Sequence, residues 1–392
     1  MTLSTLFKRT FLTTAITSSL ACWVPASLAQ EQTAKNETEK SASGELEKIV
    51  VTARKREETI QETPLSIQAF STEQIEMRGI EDMSDLTNFT PGMNFNGGTS
   101  RANSDFSVRG MTQISATGDN RRDLVTIFMD GVPIIGTPAG MGTEDLARVE
   151  VIKGPQSAMF GRATFGGAIS MITTTPSDTF TGHVGLTLGS YGEKQYEGSV
   201  EGPLIDGMLS GRLTFRKRDF DGFYDNALGG KLGATEQKYY SGTLNFTPAE
   251  NFSLKVRYNK SDDFDGEAAT QLVARYDEHN CGPFVEPSPR SMLGLRADLT
   301  LEQTAMRYCG EIKAPQGPIS INLDNLQSTL DAVGREKHGM YMEKSLLSAT
   351  AEWEFIDGYS ATLILSDQDH DVETLFDFER TEIDAKGLIA RT

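Results

Sequence analysis

The sequence predicts an α+β domain followed by antiparallel transmembrane β-barrel strands that form an incomplete barrel. Three observations predict it. Residues 58 to 177 mix short helix signals with short β-branched runs, and beyond Thr179 apolar residues recur at every second position over stretches of about ten residues. The connections between those stretches alternate between short and long.

Length and composition agree with this. The 392 residues leave room for two or three domains, and 37 glycines with 38% hydrophobic content favour strands and turns over a helical bundle. The net charge of -18 argues against a nucleic-acid partner, whose phosphates it would repel.

The first residues read as an address. Lys8 and Arg9 precede an apolar and hydroxyl run from Thr10 to Val24, then Ala26-Ser27-Leu28-Ala29 places small residues where a signal peptidase cuts. Residues 1 to 29 are therefore expected to be a secretory signal peptide, removed before Gln30. The run is shorter than the ~20 residues that span a bilayer as a helix. A lipoprotein signal ending at Cys22 would want Leu where Ser19 stands. Removing Cys22 leaves Cys281 and Cys309, both in a stretch rich in Pro, Gly and charge. In an oxidising compartment such a pair is expected to form a disulfide rather than a metal site, and none of the 4 histidines has ligand spacing with either cysteine. No metal and no cofactor is expected.

Residues 30 to 57 form the next segment. Residues 30 to 46 are polar, lack aromatics and have no apolar period, so a flexible lead-in is expected. Directly behind it, within Glu47 to Thr59 (EKIVVTARKREET), stands the β-branched run Ile49-Val50-Val51-Thr52-Ala53. It is a strand-former in a segment with nothing nearby in sequence to bury it.

Residues 58 to 178 are the α+β domain. Ser71-Thr-Glu-Gln74 is a capping box that opens a short helix ended at Gly79, and Met83 to Phe89 reads as a second helix stopped by Pro91-Gly92. Strand-like runs cover Ser66 to Phe70, Phe106 to Arg109, Leu124 to Met129, Val149 to Ile152 and Ala168 to Thr173. The pairs Gly97-Gly98 and Gly166-Gly167 mark tight turns or close backbone approach.

Residues 179 to 392 carry the period-two pattern. Val184, Leu186 and Leu188 alternate with Gly185, Thr187 and Gly189; Leu209, Gly211, Leu213 and Phe215 alternate with Ser210, Arg212, Thr214 and Arg216. The pattern recurs from Tyr196 to Gly202, Tyr240 to Phe246, Phe252 to Tyr258, Leu347 to Phe355 and Tyr359 to Leu365, giving seven strands, or eight if Glu373 to Glu379 is another. A soluble sandwich would bury the apolar faces together. A membrane barrel is favoured because Phe215, Phe246, Phe252, Tyr258, Phe355 and Tyr359 lie near strand ends, as interfacial girdles require. The turns at Pro203 to Gly207, Pro248 to Asn251 and Asp357-Gly358 are short, whereas Phe220 to Gln237 and Phe264 to Glu343 are long. A sandwich has no reason to keep its long loops at one end.

Order and spacing of motifs in the α+β domain resemble the plug of TonB-dependent outer-membrane receptors of the siderophore-receptor type. They are Thr63-Pro64, Phe106-Ser-Val-Arg-Gly110, Val125-Thr-Ile-Phe-Met-Asp-Gly-Val-Pro133, and Arg148-Val-Glu-Val-Ile-Lys-Gly-Pro-Gln-Ser-Ala-Met-Phe-Gly-Arg162 running into Gly166-Gly-Ala-Ile-Ser-Met-Ile-Thr173. The strands that follow resemble the start of that family's barrel. The resemblance implies that Ile49, Val50, Val51, Thr52 and Ala53 are a TonB box, taken up as an added strand by the periplasmic domain of TonB. It implies an outer-membrane location with a periplasmic N-terminus, and import energised through TonB and its inner-membrane complex. The expected cargo is a ferric siderophore or a similar small ligand. Arg109 and Arg162 match family positions where plug arginines pair with glutamates of the barrel wall, whereas Gly110, Gly131, Gly154, Gly161, Gly166 and Gly167 read as backbone necessities.

The family's barrel has twenty-two strands, so seven or eight are expected to be its N-terminal portion. There is no room between Gln30 and Glu47 for the extra signalling domain of some relatives, which implies no direct transcriptional role. Specificity is expected in Asn94 to Asn103, in Gln113 to Asn120 and in external loops, including one that Cys281 and Cys309 would staple. No enzyme is expected: Ser261-Asp-Asp-Phe-Asp-Gly-Glu267 fails EF-hand spacing, and Gly161 to Gly167 lacks the Lys-Ser/Thr of a phosphate loop. A passive porin-like or ligand-binding outer-membrane barrel, or a truncated receptor that does not transport, is the alternative.

Overall fold

A computed structural model describes residues 50–52, 58–81, 83–96, 105–111, 124–136, 142–143, 145–161, 163–269, 334–376 and 388–391. The chain enters through two short strands, β1 (Val50–Val51) and β2 (Glu58–Thr59), paired antiparallel. β3 (Ser66–Ser71) leads into α1 (Thr72–Arg78). Ser71 caps that helix by accepting from the Gln74 N–H at 3.4 Å, and Gly79 closes it in the left-handed region at φ 61°. α2 is the single turn Asp85–Asn88, shorter than Met83 to Phe89, because Thr90-Pro91-Gly92 turns the chain away immediately.

The rest of this domain comprises β4 (Met93–Asn96), β5 (Asp105–Val108), β6 (Val125–Met129), β7 (Val132–Pro133), β8 (Leu146–Lys153), the turn α3 (Ser157–Phe160) and β9 (Gly167–Thr173). Five strands form one sheet in the order β3-β8-β9-β6-β7, with β6 and β9 parallel and the other pairs antiparallel. Val149, Val151, Ile169 and Met171 pack with Phe70 of β3 and with Ile75 and Leu86 of the helical layer. Leu346 from the large sheet joins this core, so the domain is packed against the wall.

The large sheet takes β10 (Thr181–Leu188), β11 (Lys194–Ile205) and β12 (Leu209–Phe220), skips a small hairpin of β13 (Tyr224–Asp225) and β14 (Lys231–Leu232), and continues with β15 (Thr235–Ala249), β16 (Phe252–Gly266), β17 (Gly339–Ile356), β18 (Tyr359–Phe376) and β19 (Leu388–Arg391). Its order is β10-β11-β12-β15-β16-β17-β18-β19, every neighbour antiparallel. Among the described residues the sheet has two edges, β10 and β19, and does not close. The eighth strand is Leu388–Arg391. Glu373 to Phe376 continue β18 instead of starting a separate strand.

The two faces of this sheet decide its solvent. Val184, Leu213 and Leu365 are 89%, 64% and 60% exposed, while Arg216, Thr243 and Arg257 on the opposite face are 2%, 2% and 1% exposed. Apolar side chains outside and polar ones inside are the reverse of a soluble sandwich and the arrangement that a hydrocarbon surround stabilises. The strands also outrun their apolar stretches. β15, β16, β17 and β18 continue past the belt with Lys238, Lys260, Asp262, Glu343, Asp369 and Asp371, so the segments that read as loops at Phe264 to Gly266 and Gly339 to Glu343 are paired strand.

Candidate functional site

The residues that join domain to wall are acidic on the domain and basic on the wall. Asp145 stands just before β8, its backbone fixed because the Thr174 N–H donates to its carbonyl at 2.9 Å. Its carboxylate points into the wall and is almost fully buried. Arg212 Nε donates to Oδ1 at 2.9 Å and Thr214 Oγ1 to the same oxygen at 3.3 Å. On Oδ2, Ser241 Oγ donates at 2.7 Å and Arg257 Nη2 at 3.2 Å. These donors share a face because Thr214 is in register with Ser241, and Thr243 with both Arg212 and Arg257, so three adjacent strands turn the same side inward.

Charge is balanced within the cluster. Arg212 Nη1 also donates to Glu201 Oε2 at 2.8 Å, which sets two carboxylates against two guanidinium groups. Arg257 uses its remaining donors on Asn259 Oδ1 at 2.7 Å, Tyr239 OH at 2.5 Å and the Met129 sulfur at 3.1 Å. A buried ion takes such a position only when paired and fully hydrogen-bonded.

A second junction lies at the hairpin between β6 and β7. Asp130 and Gly131 both have positive φ, 48° and 81°, which a two-residue Asp-Gly hairpin requires. The Asp130 carboxylate accepts from the Thr173 N–H at 2.9 Å and from its Oγ1 at 2.6 Å, and pairs with Lys255 Nζ of β16 at 3.2 Å. Gly131 lies against the wall: a Cβ there would stand 2.9 Å from Ile364 Cδ1. Further along, Gln368 donates to the Pro133 carbonyl at 2.9 Å and accepts from the Ile135 N–H at 3.2 Å.

The N-terminal strand is held by the domain. Val51 is 1% exposed, whereas Val50 is exposed. The Thr52 N–H and Oγ1 donate to Glu150 Oε1 at 2.8 and 3.2 Å, and Arg148 Nε donates to the same oxygen at 2.8 Å. A polar lead-in suggests an accessible strand, yet Val51 is buried and Thr52 is held, because β8 offers a buried carboxylate opposite Thr52.

The sequence-predicted residues divide. Val50 and Val51 pair with β2 and Thr52 bonds Glu150 of β8, while Ile49, Ala53, Arg162, Cys281 and Cys309 lie outside the described residues. Arg109 is exposed, adopts φ 53°, and donates from Nη2 to Ser66 Oγ at 3.1 Å. Among the described residues it pairs with no carboxylate of the wall. Asp130, Asp145, Arg212, Lys255 and Arg257 form the junctions without being marked as site residues by any motif in the sequence. A signal existed for the wall half: cations on the inward, polar side of strands in a membrane sheet need buried partners. Their partners stand 67 to 112 residues away for Asp145, beyond any local pattern.

The chain is similar to known proteins. The family described as TonB-dependent Receptor Plug Domain matches residues 59–168. A pesticin receptor of Yersinia pestis is 28% identical over 203 residues, 51% of this chain and 30% of that protein. A ferrioxamine receptor of Yersinia enterocolitica is 28% identical over 266 residues, 64% of this chain and 35% of that protein. The chain thus spans about a third of the length of these curated relatives. The crystal structure of the ferric yersiniabactin uptake receptor FyuA from Yersinia pestis superposes with a TM-score of 0.58 at 20% identity, over 80% of this chain and 42% of that one. These relatives are receptors, not enzymes.

Proposed function

The chain belongs to the TonB-dependent outer-membrane receptors, and on that premise we propose that it serves energised import of a ferric siderophore or a chemically similar chelate. The observation that carries the reading is the inverted sheet with its lumen occupied: apolar side chains face outward, and the inward arginines and lysine hold plug carboxylates at Asp145 and Asp130. A lumen blocked in this way passes no solute until the plug rearranges, so work has to be delivered to it. The outer membrane has no nucleotide supply, and the work comes through a partner that spans from the inner membrane.

Ile49, Val50, Val51, Thr52 and Ala53 are the segment TonB captures by strand addition from the periplasmic side, since extended β-branched residues suit main-chain pairing. Arg162 is the remaining candidate for a plug arginine that contacts the barrel, since Arg109 bonds Ser66 of its own domain, and Cys281 with Cys309 would staple an external loop. The siderophore class is supported by the ferrioxamine receptor among the relatives. The test is deletion of residues 47–53 in a strain without its own receptors, read as surface binding and uptake of iron-55-loaded ferrioxamine and yersiniabactin. Retained binding with uptake abolished is the expected result. Unchanged uptake would instead mark a passive pore.

A further inference from the structure

Just beyond the apolar belt, the outward face of the large sheet carries a group of cations. Lys217 of β12 and Lys238 of β15 stand directly opposite each other in the ladder, and Lys260 of β16 stands opposite Tyr240, two residues along from Lys238 on the same face. Their Cβ atoms are about 5 Å apart across the first pair and about 7–8 Å apart on the diagonal, so three long side chains reach one shared anion. Lys238 is exposed and makes no ion pair among the described residues. Asp262, its neighbour on β16, pairs with Lys260 instead, at 3.2 Å. Lys217 pairs with Asp219 at 2.7 Å, yet Lys217 and Lys260 stay 39% and 41% exposed. Like charges directly opposite each other destabilise a ladder, and a bound anion removes that cost.

Neighbouring aromatics set the height of this group. Tyr196 stands opposite Lys217, while Phe215, Tyr240 and Tyr258 occupy the two rows nearer the belt, all with exposed rings. Such rings mark the boundary between hydrocarbon and headgroups, so the ammonium groups lie at headgroup level. They are at the strand ends joined by the long connections, 221–234 and 267–338, and away from the turns at 206–208, 250–251 and 357–358. In an outer-membrane barrel that is the cell-surface side. On β17 and β18 the same two rows present Glu343, Asp369 and Asp371, so acid bounds the cations on one side.

We propose that Lys217, Lys238 and Lys260 form a binding site for a phosphate of a phosphorylated glycolipid in the outer leaflet. Charge complementarity selects the phosphate, to which a lysine ammonium binds as a point charge. The lipid-facing position selects a glycolipid over a soluble anion, because its acyl chains lie along the outward side chains of Val200, Leu213 and Leu244 directly below. The lumen takes no part, so the site is independent of the cargo and of how import is driven.

The test titrates diphosphoryl lipid A and, separately, inorganic phosphate onto the full chain in a non-ionic detergent. Lys238→Gln breaks no ion pair and is expected to weaken lipid A binding about 5-fold, and Lys217→Gln with Lys238→Gln about 10-fold or more. Lys217→Arg with Lys238→Arg keeps both charges and is expected to bind like the unaltered chain. Lys231→Gln, in the β13–β14 hairpin, removes the same charge away from the site and is expected to change nothing. Should the double glutamine variant fail to fold, Lys238→Gln decides alone. Lipid A that does not bind the unaltered chain, or that binds the glutamine variants equally well, would overturn the proposal. An equal loss in Lys231→Gln would reduce the attraction to diffuse charge and overturn it too. Inorganic phosphate that binds as tightly as lipid A would remove the glycolipid from the site.

Discussion

The carboxylate of Asp145 and the guanidinium of Arg257 meet at 3.2 Å across the boundary between plug and wall, with 2% and 1% of their side chains exposed. No solvent screens this pair, and Arg212 doubles it from the neighbouring side at 2.9 Å. Breaking a buried pair by removing one partner leaves a charge without compensation, which costs about 3–5 kcal/mol, whereas removing both is far less harmful. Asp145→Ala should therefore lower the resistance of the plug to denaturant sharply, and Asp145→Ala combined with Arg257→Ala should lose less than the two single changes summed. A double-mutant cycle from urea unfolding in detergent gives the coupling. Additive losses would show that the pair contributes nothing specific.

At the Asp130-Gly131 hairpin, backbone and wall make the same demand. Gly131→Ala places a Cβ at φ 81° and against Ile364, a strain of about 1–3 kcal/mol. Thermal unfolding should show the loss, and adding Ile364→Ala should recover only the part due to the clash.

Lys153 provides the pH dependence. Its ammonium is held below the ordinary lysine value, first by burial and second by the nearby Arg109 guanidinium. The unfolded chain then holds this proton more tightly than the folded one. The group opposes folding while charged in both states, and stability rises as pH climbs from the lowered folded value to the ordinary one. Arg109→Gln removes the lesser cause, so the Lys153 amine should react more slowly with an acylating reagent at about pH 9, a pH below the ordinary lysine value. An unchanged rate would remove Arg109 from the account.

How far the sequence reaches follows from where its alternation stops. The helix from Thr72 to Arg78 was legible because Ser71 and Gly79 punctuate it locally, and Tyr359 to Leu365 because each outward residue there is apolar and each inward one is not, except Ile364. Above the apolar belt both faces turn polar. Lys260 and Asp262 then face outward while Ser261 and Asp263 are buried, so the period disappears although the ladder to β17 continues. The site was legible only as a resemblance. That likeness pointed to basic residues on the plug, whereas the described contacts put the acids on the plug and the bases on the wall.

On the lipid side, Leu363→Arg should impair insertion, since a cation on the lipid-facing surface of a barrel costs about 2–4 kcal/mol near the bilayer midplane. Thr362→Arg, one position along and on the other face, should not carry that lipid-facing penalty. Fractionation of membranes and folding into vesicles both read this difference.

The central claim is that alternate residues of one strand face lipid and the inner, polar side of the sheet. Single cysteines at residues 361 to 366, in a background with Cys281 and Cys309 replaced by serine, carry a spin label in lipid vesicles. Oxygen collision rates are then expected to be high at 361, 363 and 365 and low at 362, 364 and 366, with the water-soluble nickel probe excluded from the first set. Nickel access at 361, 363 and 365, or no alternation in the oxygen rates, would contradict it.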